Sequence, residues 1–105
     1  QWKNTQAIPL TDTLFDNDIS VSPDYVPKTI GIYEKNSERK IICDISEYPY
    51  TLLWSAPTKP MRFICIEPWY GRADAADFDG NLQKRAWQNE LEPGKVFGKV
   101  YTIAF

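Results

Sequence analysis

The chain has 105 residues, of which 43% are hydrophobic and 25% are charged, a composition typical of one globular domain. The formal net charge is −2, and no basic run is longer than the pairs Arg39-Lys40 and Lys84-Arg85. This pattern argues against nucleic-acid binding, which needs a concentrated basic surface. The sequence contains no histidine, so it cannot by itself supply an imidazole acid, base or metal ligand.

Apolar stretches, the first ten residues and the cysteines bear on cellular location. No apolar stretch is long enough to cross a bilayer, and residues 1–10 lack the basic-then-apolar order of a signal peptide. Cys43 and Cys65 lie singly inside apolar runs, a pattern typical of reduced, buried thiols. We therefore expect a cytoplasmic protein without a membrane partner. Because the only methionine is Met61, we also expect a processed chain or a fragment.

Short aromatic and β-branched runs, separated by turn residues, predict a single all-β domain over residues 1–105. The predicted strands are residues 19–21, 29–34, 40–45, 50–54, 61–67 and 96–105. Their spacing suits an antiparallel β-sandwich. Six such strands would leave apolar edges exposed, for example along residues 61–66, so we expect another sheet or chain to complete the core.

The connections between the strands carry recognisable turn chemistry. Polar residues at 35–38 predict a hairpin over residues 29–45. Pro93 and Gly94 occupy the central positions of a type II turn over residues 92–95. Residues 81–88 predict one or two helical turns, and prolines predict loops at 22–27 and 56–60.

Glu67 is the first candidate functional residue. Period-2 alternation places Met61, Phe63, Cys65 and Glu67 on one face of a strand, so that a carboxylate ends an apolar row. Pro68 is expected to hold Glu67 in extended geometry and to end the strand there. Such a carboxylate suits a general base. The alternative is a carboxylate that faces water or pairs with an arginine such as Arg72.

Aromatic residues lie close to Glu67 in the sequence. Trp69 and Tyr70 follow it, and Trp54 ends the preceding predicted strand. Flat rings beside carboxylate acceptors suit a sugar, which has an apolar C–H face and hydroxyl groups that need directional hydrogen bonds. The alternative is that these rings are ordinary core residues.

Two further acidic features have simpler interpretations. If Gly80 were the invariant glycine of an EF-hand loop, Ala75 and Ala86 would stand at its first and last ligand positions. The acidic residues of segment 74–80 therefore predict a solvated loop and no metal site. Near the start of the chain, Thr11 or Asp12 could cap a short helical turn.

Four segments together carry a family pattern. They are residues 8–15 (IPLTDTLF), 63–74 (FICIEPWYGRAD), 77–80 (DFDG) and 91–94 (LEPG). In these segments the chain resembles the aldose 1-epimerase (galactose mutarotase) family, in particular its bacterial mutarotase-related branch. The resemblance covers essentially the whole chain, corresponds to the C-terminal part of a longer family member, and is most specific in the string Cys-Ile-Glu-Pro-Trp at 65–69.

The resemblance implies a large antiparallel supersandwich with a sugar cleft on one sheet. It also implies interconversion of the α and β anomers of a free hexose, of galactose or glucose type, without metal or organic cofactor. Glu67 matches the family's catalytic base, and Asp12 falls in a segment that resembles its substrate-binding Asp motif. We add Trp54 and Trp69 as substrate-binding candidates.

The family's histidine acid and second sugar-binding histidine have no counterpart in this chain. The resemblance implies that they lie upstream, in the N-terminal part of the same protein, so the chain alone is expected to be inactive. Two alternatives stay open at this point. One is a non-catalytic carbohydrate-binding β-sandwich, and the other is a structural or interaction domain in which Glu67 is only a salt-bridge partner.

Overall fold

The computed structural model describes residues 7–17, 19–21 and 27–105. Its strands are β1 (Ile19–Val21), β2 (Thr29–Tyr33), β3 (Lys40–Asp44), β4 (Tyr50–Trp54), β5 (Cys65–Trp69) and β6 (Thr102–Ala104). One short 3₁₀ turn, Leu82–Lys84, is the helical element of these residues. In the described part of the chain, no helix is long and apolar enough to cross a membrane.

The strands form two antiparallel sheets of three strands each. The first sheet has the order β1-β4-β5, and the second has the order β2-β3-β6. Every strand pair in both sheets is antiparallel. The prediction of a mostly antiparallel β fold with almost no helix is confirmed.

Most strand boundaries agree with the sequence. Strands β1 and β4 match their predictions, while β2 and β3 each end one residue earlier than predicted. The predicted hairpin joins β2 to β3, and the amide of Glu34 donates to the carbonyl of Arg39 at 3.1 Å where the loop begins. Asn36 has a φ of 60° in the loop, a left-handed conformation that Asn tolerates better than most residues.

Strand β5 differs from its prediction at both ends. It begins at Cys65 rather than residue 61, and it continues through Pro68 to Trp69 instead of stopping at Glu67. The reason is the position of β5 at the edge of the sheet, where its described partner is β4. An edge strand tolerates a proline because one of its sides needs no backbone donor.

The last predicted strand is much shorter than expected. Only Thr102–Ala104 forms β6, which pairs with the three β3 residues Ile42 to Asp44. The turn before it is present, since Lys95 N–H donates to the carbonyl of Glu92 at 3.1 Å and Gly94 has a φ of 76°. The prediction failed because a β-prone run forms a strand only where a neighbouring backbone supplies hydrogen bonds.

The core is small for a domain of this length. Among the described residues, the buried hydrophobic side chains are those of Phe15, Cys43 and Ile45. The accessible surface is 8726 Å², whereas a compact monomer of this mass exposes about 6,100 Å². Several large apolar side chains are exposed, which include Tyr33, Leu82, Val96, Val100, Ile103 and Phe105.

Cys43 and Cys65 are both free thiols, as predicted. Cys43 is buried, but the prediction of burial is wrong for Cys65, which is half-buried at the start of an edge strand. Burial raises the pKa of the Cys43 thiol, and the negative charge of Asp44 raises it further.

The difference in burial between Cys43 and Cys65 predicts that a thiol reagent modifies only one of them in the folded protein. At mildly alkaline pH, Ellman's reagent should react with Cys65 and leave Cys43 intact, because a buried thiol with a raised pKa presents little thiolate. Denaturant should release the second thiol, and Cys65→Ser should remove the reaction seen in the folded protein. Rapid labelling of Cys43 in the folded Cys65→Ser variant would contradict the burial described above.

Thr51 generates a stability prediction. Its side chain is fully buried, and its hydroxyl has no hydrogen-bond partner within the described structure. Because an unpaired buried hydroxyl destabilises the folded state, Thr51→Val should raise the free energy of unfolding by about 1–2 kcal/mol. Urea denaturation measures the change. The control Thr102→Val, at an exposed position of β6, should change stability by less than about 0.5 kcal/mol.

Candidate functional site

One face of the β4-β5 pair carries three of the four predicted site residues. The register sets Tyr50 opposite Trp69, Leu52 opposite Glu67, and Trp54 opposite Cys65. Residues that lie directly opposite each other in an antiparallel pair project from the same face. Glu67 therefore occupies the middle row of three, with Trp69 in one neighbouring row and Trp54 in the other. We call this surface the Glu67 face.

The carboxylate of Glu67 is oriented by its neighbour. The indole Nε1–H of Trp69 donates to Oε2 of Glu67 at 3.2 Å, and both residues are half-buried. The guanidinium of Arg72 lies over the Trp87 ring instead, with its carbon 5.9 Å from the ring centroid. Among the described residues, no cation lies within salt-bridge distance of Glu67. Glu67 is thus held by a neutral donor.

Aromatic rings flank the Glu67 row on both sides. On one side, the Tyr50 ring lies 6.0 Å from Trp69 and 5.8 Å from Trp87, between ring centroids. On the other side, the rings of Trp54 and Phe63 are 5.7 Å apart. A carboxylate between two aromatic clusters offers hydrogen-bond acceptors next to flat apolar surfaces.

Trp87 reaches this surface from a distant segment. Segment 85–89 is attached to segment 70–74, where Arg85 Nε–H donates to Oδ1 of Asp74 and Arg85 Nη2 donates to the carbonyl of Arg72 at 3.1 Å. Asn89 Nδ2 donates to the carbonyl of Tyr70. Between these contacts, Trp87 has a φ of 60°, a conformation uncommon for a bulky residue.

An open cavity of about 460 Å³ lies beyond Trp69. It is lined by Trp69, Tyr70, Gly71, Arg72, Ala73 and Arg85. Two arginines and no acidic residue therefore line this cavity together with Trp69. Arginine supplies several N–H donors and no acceptor, so this cavity is suited to ligands that carry oxygen acceptors.

The hydrogen bond of the Asp12 side chain is made outside the Glu67 face. Its Oδ1 accepts a hydrogen bond from the amide of Met61 at 2.8 Å. It belongs to a short turn in which Leu14 N–H donates to the carbonyl of Thr11 at 3.1 Å. Asp12 therefore ties the start of the chain to the segment that precedes β5, and no described contact joins its carboxylate to Glu67.

Acidic side chains of the segment after β5 form hydrogen bonds and ion pairs with nearby residues. Asp79 accepts from the amide of Asn81 at 2.9 Å and lies 3.3 Å from Nζ of Lys84, while Asp74 binds Arg85. The described residues include no group of three or more acidic or cysteine side chains arranged to hold a metal ion.

The sequence does not single out Tyr50 and Trp87 as members of this surface, whereas alternation from Met61 places Phe63 on the face of Glu67. For Tyr50 a signal existed, because alternation places it with Trp54. For Trp87 there was no local signal, because side-chain contacts bring it from a segment 18 positions beyond Trp69.

Comparisons with known proteins give no further guidance: no protein-family model, curated protein or solved structure matches the chain.

The contact between Asp12 and Met61 predicts a structural effect. Asp12→Ala should lower the free energy of unfolding by about 0.5–1 kcal/mol, because the Met61 amide loses its acceptor at an exposed site. Asp12→Asn retains an Oδ1 acceptor and should stay close to the wild type. Urea denaturation of both variants measures this difference, and equal stability of all three proteins would show that the bond contributes nothing.

Proposed function

We propose that this chain is the C-terminal part of an aldose 1-epimerase-like isomerase. In this proposal its two sheets belong to a larger antiparallel β-sandwich, and the protein interconverts the α and β anomers of a free hexose in the cytoplasm. The observation that supports it best is the position of Glu67 between two aromatic clusters on one sheet face. The two free thiols support a reducing compartment.

Glu67 is the general base of the proposed reaction. Its carboxylate removes the proton from the C1 hydroxyl while an acid protonates the ring oxygen, and the C1–O5 bond breaks to give the open-chain aldehyde. Rotation about the C1–C2 bond presents the other face of the aldehyde. The ring oxygen then attacks C1, the acid recovers its proton, and Glu67 returns a proton to O1.

Trp69 is a positioning residue for this base. Its indole N–H holds one carboxylate oxygen at 3.2 Å, which leaves the other oxygen as the proton acceptor. The half-buried rings of Trp54 and Trp69 supply apolar surface for the C–H face of a hexose. In the proposal, Asp12 accepts a hydrogen bond from a sugar hydroxyl with the oxygen that does not bind Met61.

The acid must come from outside this chain, which contains no histidine. We assign it to the N-terminal part of the same protein. The exposed apolar side chains, such as Val96 and Phe105, support this assignment because a further set of strands would cover them.

A non-catalytic carbohydrate-binding β-sandwich is the second candidate. The absence of histidine from the chain is the specific observation that favours it. The same surface would then bind a sugar through its aromatic rings and carboxylate without turnover.

Glu67→Gln tests the leading proposal in the protein expressed from its complete open reading frame. Glutamine preserves the shape of the side chain but cannot accept the proton, so interconversion of α- and β-glucose or galactose should slow by about two orders of magnitude or more. Polarimetry of a freshly dissolved pure anomer measures the rate, after subtraction of the uncatalysed reaction.

The matched control is Glu47→Gln. Glu47 is an exposed residue that pairs with Lys99 at 3.5 Å, and its replacement should leave the rate unchanged. Wild-type turnover by the Glu67→Gln variant would rule out Glu67 as the base. A wild-type protein that binds an aldose but turns over none would favour the binding function.

A further inference from the structure

Strand β2 has an edge without the usual protection against pairing. It lies at the end of the sheet order β2-β3-β6, so within the described residues no strand lies on its other side. Natural sheets protect such edges with charged residues, proline or very short strands. The edge strand β5 contains Glu67 and Pro68, and β1 and β6 have three residues each. Strand β2 has five residues, with neither charge nor proline, and can therefore accept another strand.

The pairing of β2 with β3 determines which backbone groups of β2 point outward. Lys28 and Glu34 both bond to residues that flank β3, through the carbonyl of Lys28 at 2.9 Å and the N–H of Glu34 at 3.1 Å. In an antiparallel ladder, hydrogen-bonded and non-hydrogen-bonded positions alternate along the strand. The N–H and C=O groups of Thr29, Gly31 and Tyr33 therefore point to the open edge.

The segment around Gly31 is self-complementary when two copies run antiparallel. Its sequence is Lys-Thr-Ile-Gly-Ile-Tyr-Glu, residues 28–34. With glycine opposite glycine, Ile30 of one copy lies opposite Ile32 of the other. Lys28 lies opposite Glu34 in the same register. Both are non-hydrogen-bonded pairs, in which the facing side chains lie closest together.

We propose that β2 pairs in this register with β2 of a second copy of the chain, so that two three-stranded sheets join into one continuous sheet. The contact is isologous, because a two-fold axis passes between the two Gly31 residues. Backbone hydrogen bonds cross it between the glycines, and between Thr29 and Tyr33 of opposite copies. The inference is independent of the reaction proposed for Glu67.

The charges at the two ends of the segment favour a second copy as the partner. An antiparallel copy sets a lysine against a glutamate at both ends of the contact, and opposite charges that face each other across a strand pair stabilise it. Both Lys28 and Glu34 are exposed. Within the chain, Glu34 has an exposed ion pair with Arg39 at 3.9 Å. Such a surface pair contributes little and leaves the Glu34 carboxylate accessible.

The ring of Tyr33 fits the same contact. A Cβ at position 31 would lie 2.7 Å from Cε2 of Tyr33, so the ring lies over Gly31 and occupies the space that a side chain would take. The Tyr33 residue is 63% exposed. With the glycines of two copies opposite each other, the two rings lie side by side over the glycine pair, where each covers apolar surface of the other.

Sedimentation equilibrium of the protein from its complete open reading frame tests the dimer. A dissociation constant on the order of 10 μM is expected, because a single strand pair is smaller than a standard interface. Lys28→Glu should weaken the dimer about tenfold or more, since it sets like charges against each other at both ends. Glu34→Lys should weaken it similarly. The double variant Lys28→Glu/Glu34→Lys should restore the wild-type constant, because opposite charges again face each other.

Lys95→Glu is the matched control, because it makes the same change of charge at an exposed position of the turn over residues 92–95. It should leave the dissociation constant unchanged. A wild-type protein that stays monomeric to about 100 μM would overturn the proposal. In that case, slow amide exchange at Thr29, Gly31 and Tyr33 would assign this edge to another part of the same protein. A dimer that Lys28→Glu does not weaken, or that the double variant does not restore, would also overturn it.

Discussion

The register of β4 against β5 is the constraint on which the candidate site depends. It places Glu67 opposite Leu52 and thereby sets the aromatic rows on either side of the carboxylate. A slip of β5 by one residue would turn Glu67 and Trp69 to the other face of the sheet, away from Tyr50 and Trp54. The geometry of the site is therefore a consequence of backbone pairing.

Burial on the reverse face holds this register. Thr51 and Ser55 alternate with the residues of the Glu67 face, and both are buried, while Leu53 between them is half-buried, as are Tyr50, Leu52 and Trp54. A one-residue shift of β4 would turn the buried Thr51 side chain to the Glu67 face. The same pairing thus serves the core and leaves a half-buried, aromatic surface accessible to a ligand.

Polar contacts between two loops complete the surface at one end. The ion pair between Arg85 and Asp74, together with the contact of Asn89 with the carbonyl of Tyr70, attaches segment 85–89 beside the end of β5. These groups are exposed or half-buried, so each contributes little to stability. Their effect is positional, because they bring Trp87 against Tyr50 and set Arg72 and Arg85 at the cavity beyond Trp69.

Local sequence carried most of the information on the strands. Turn residues and apolar runs predicted β1 to β4 within one residue, because a hairpin and its loop are determined by neighbouring residues. Alternation also identified Glu67 and Cys65 as residues of one face, and the register confirms this. The extent of β5 and β6 could not be predicted in this way, since a strand extends only as far as a partner backbone reaches.

The sequence by itself therefore determined the all-β class, the hairpin loop and the turn at residues 92–95, the free cysteines, and the common strand face of Cys65 and Glu67. Tertiary structure alone decided that Trp69 donates to Glu67, that Asp12 binds the amide of Met61, and that Trp87 packs against Tyr50. The physical reason is the separation along the chain between the residues that are in contact. Period-2 alternation assigns side chains to faces within one strand, whereas contacts between segments distant along the chain depend on how the strands and loops pack together.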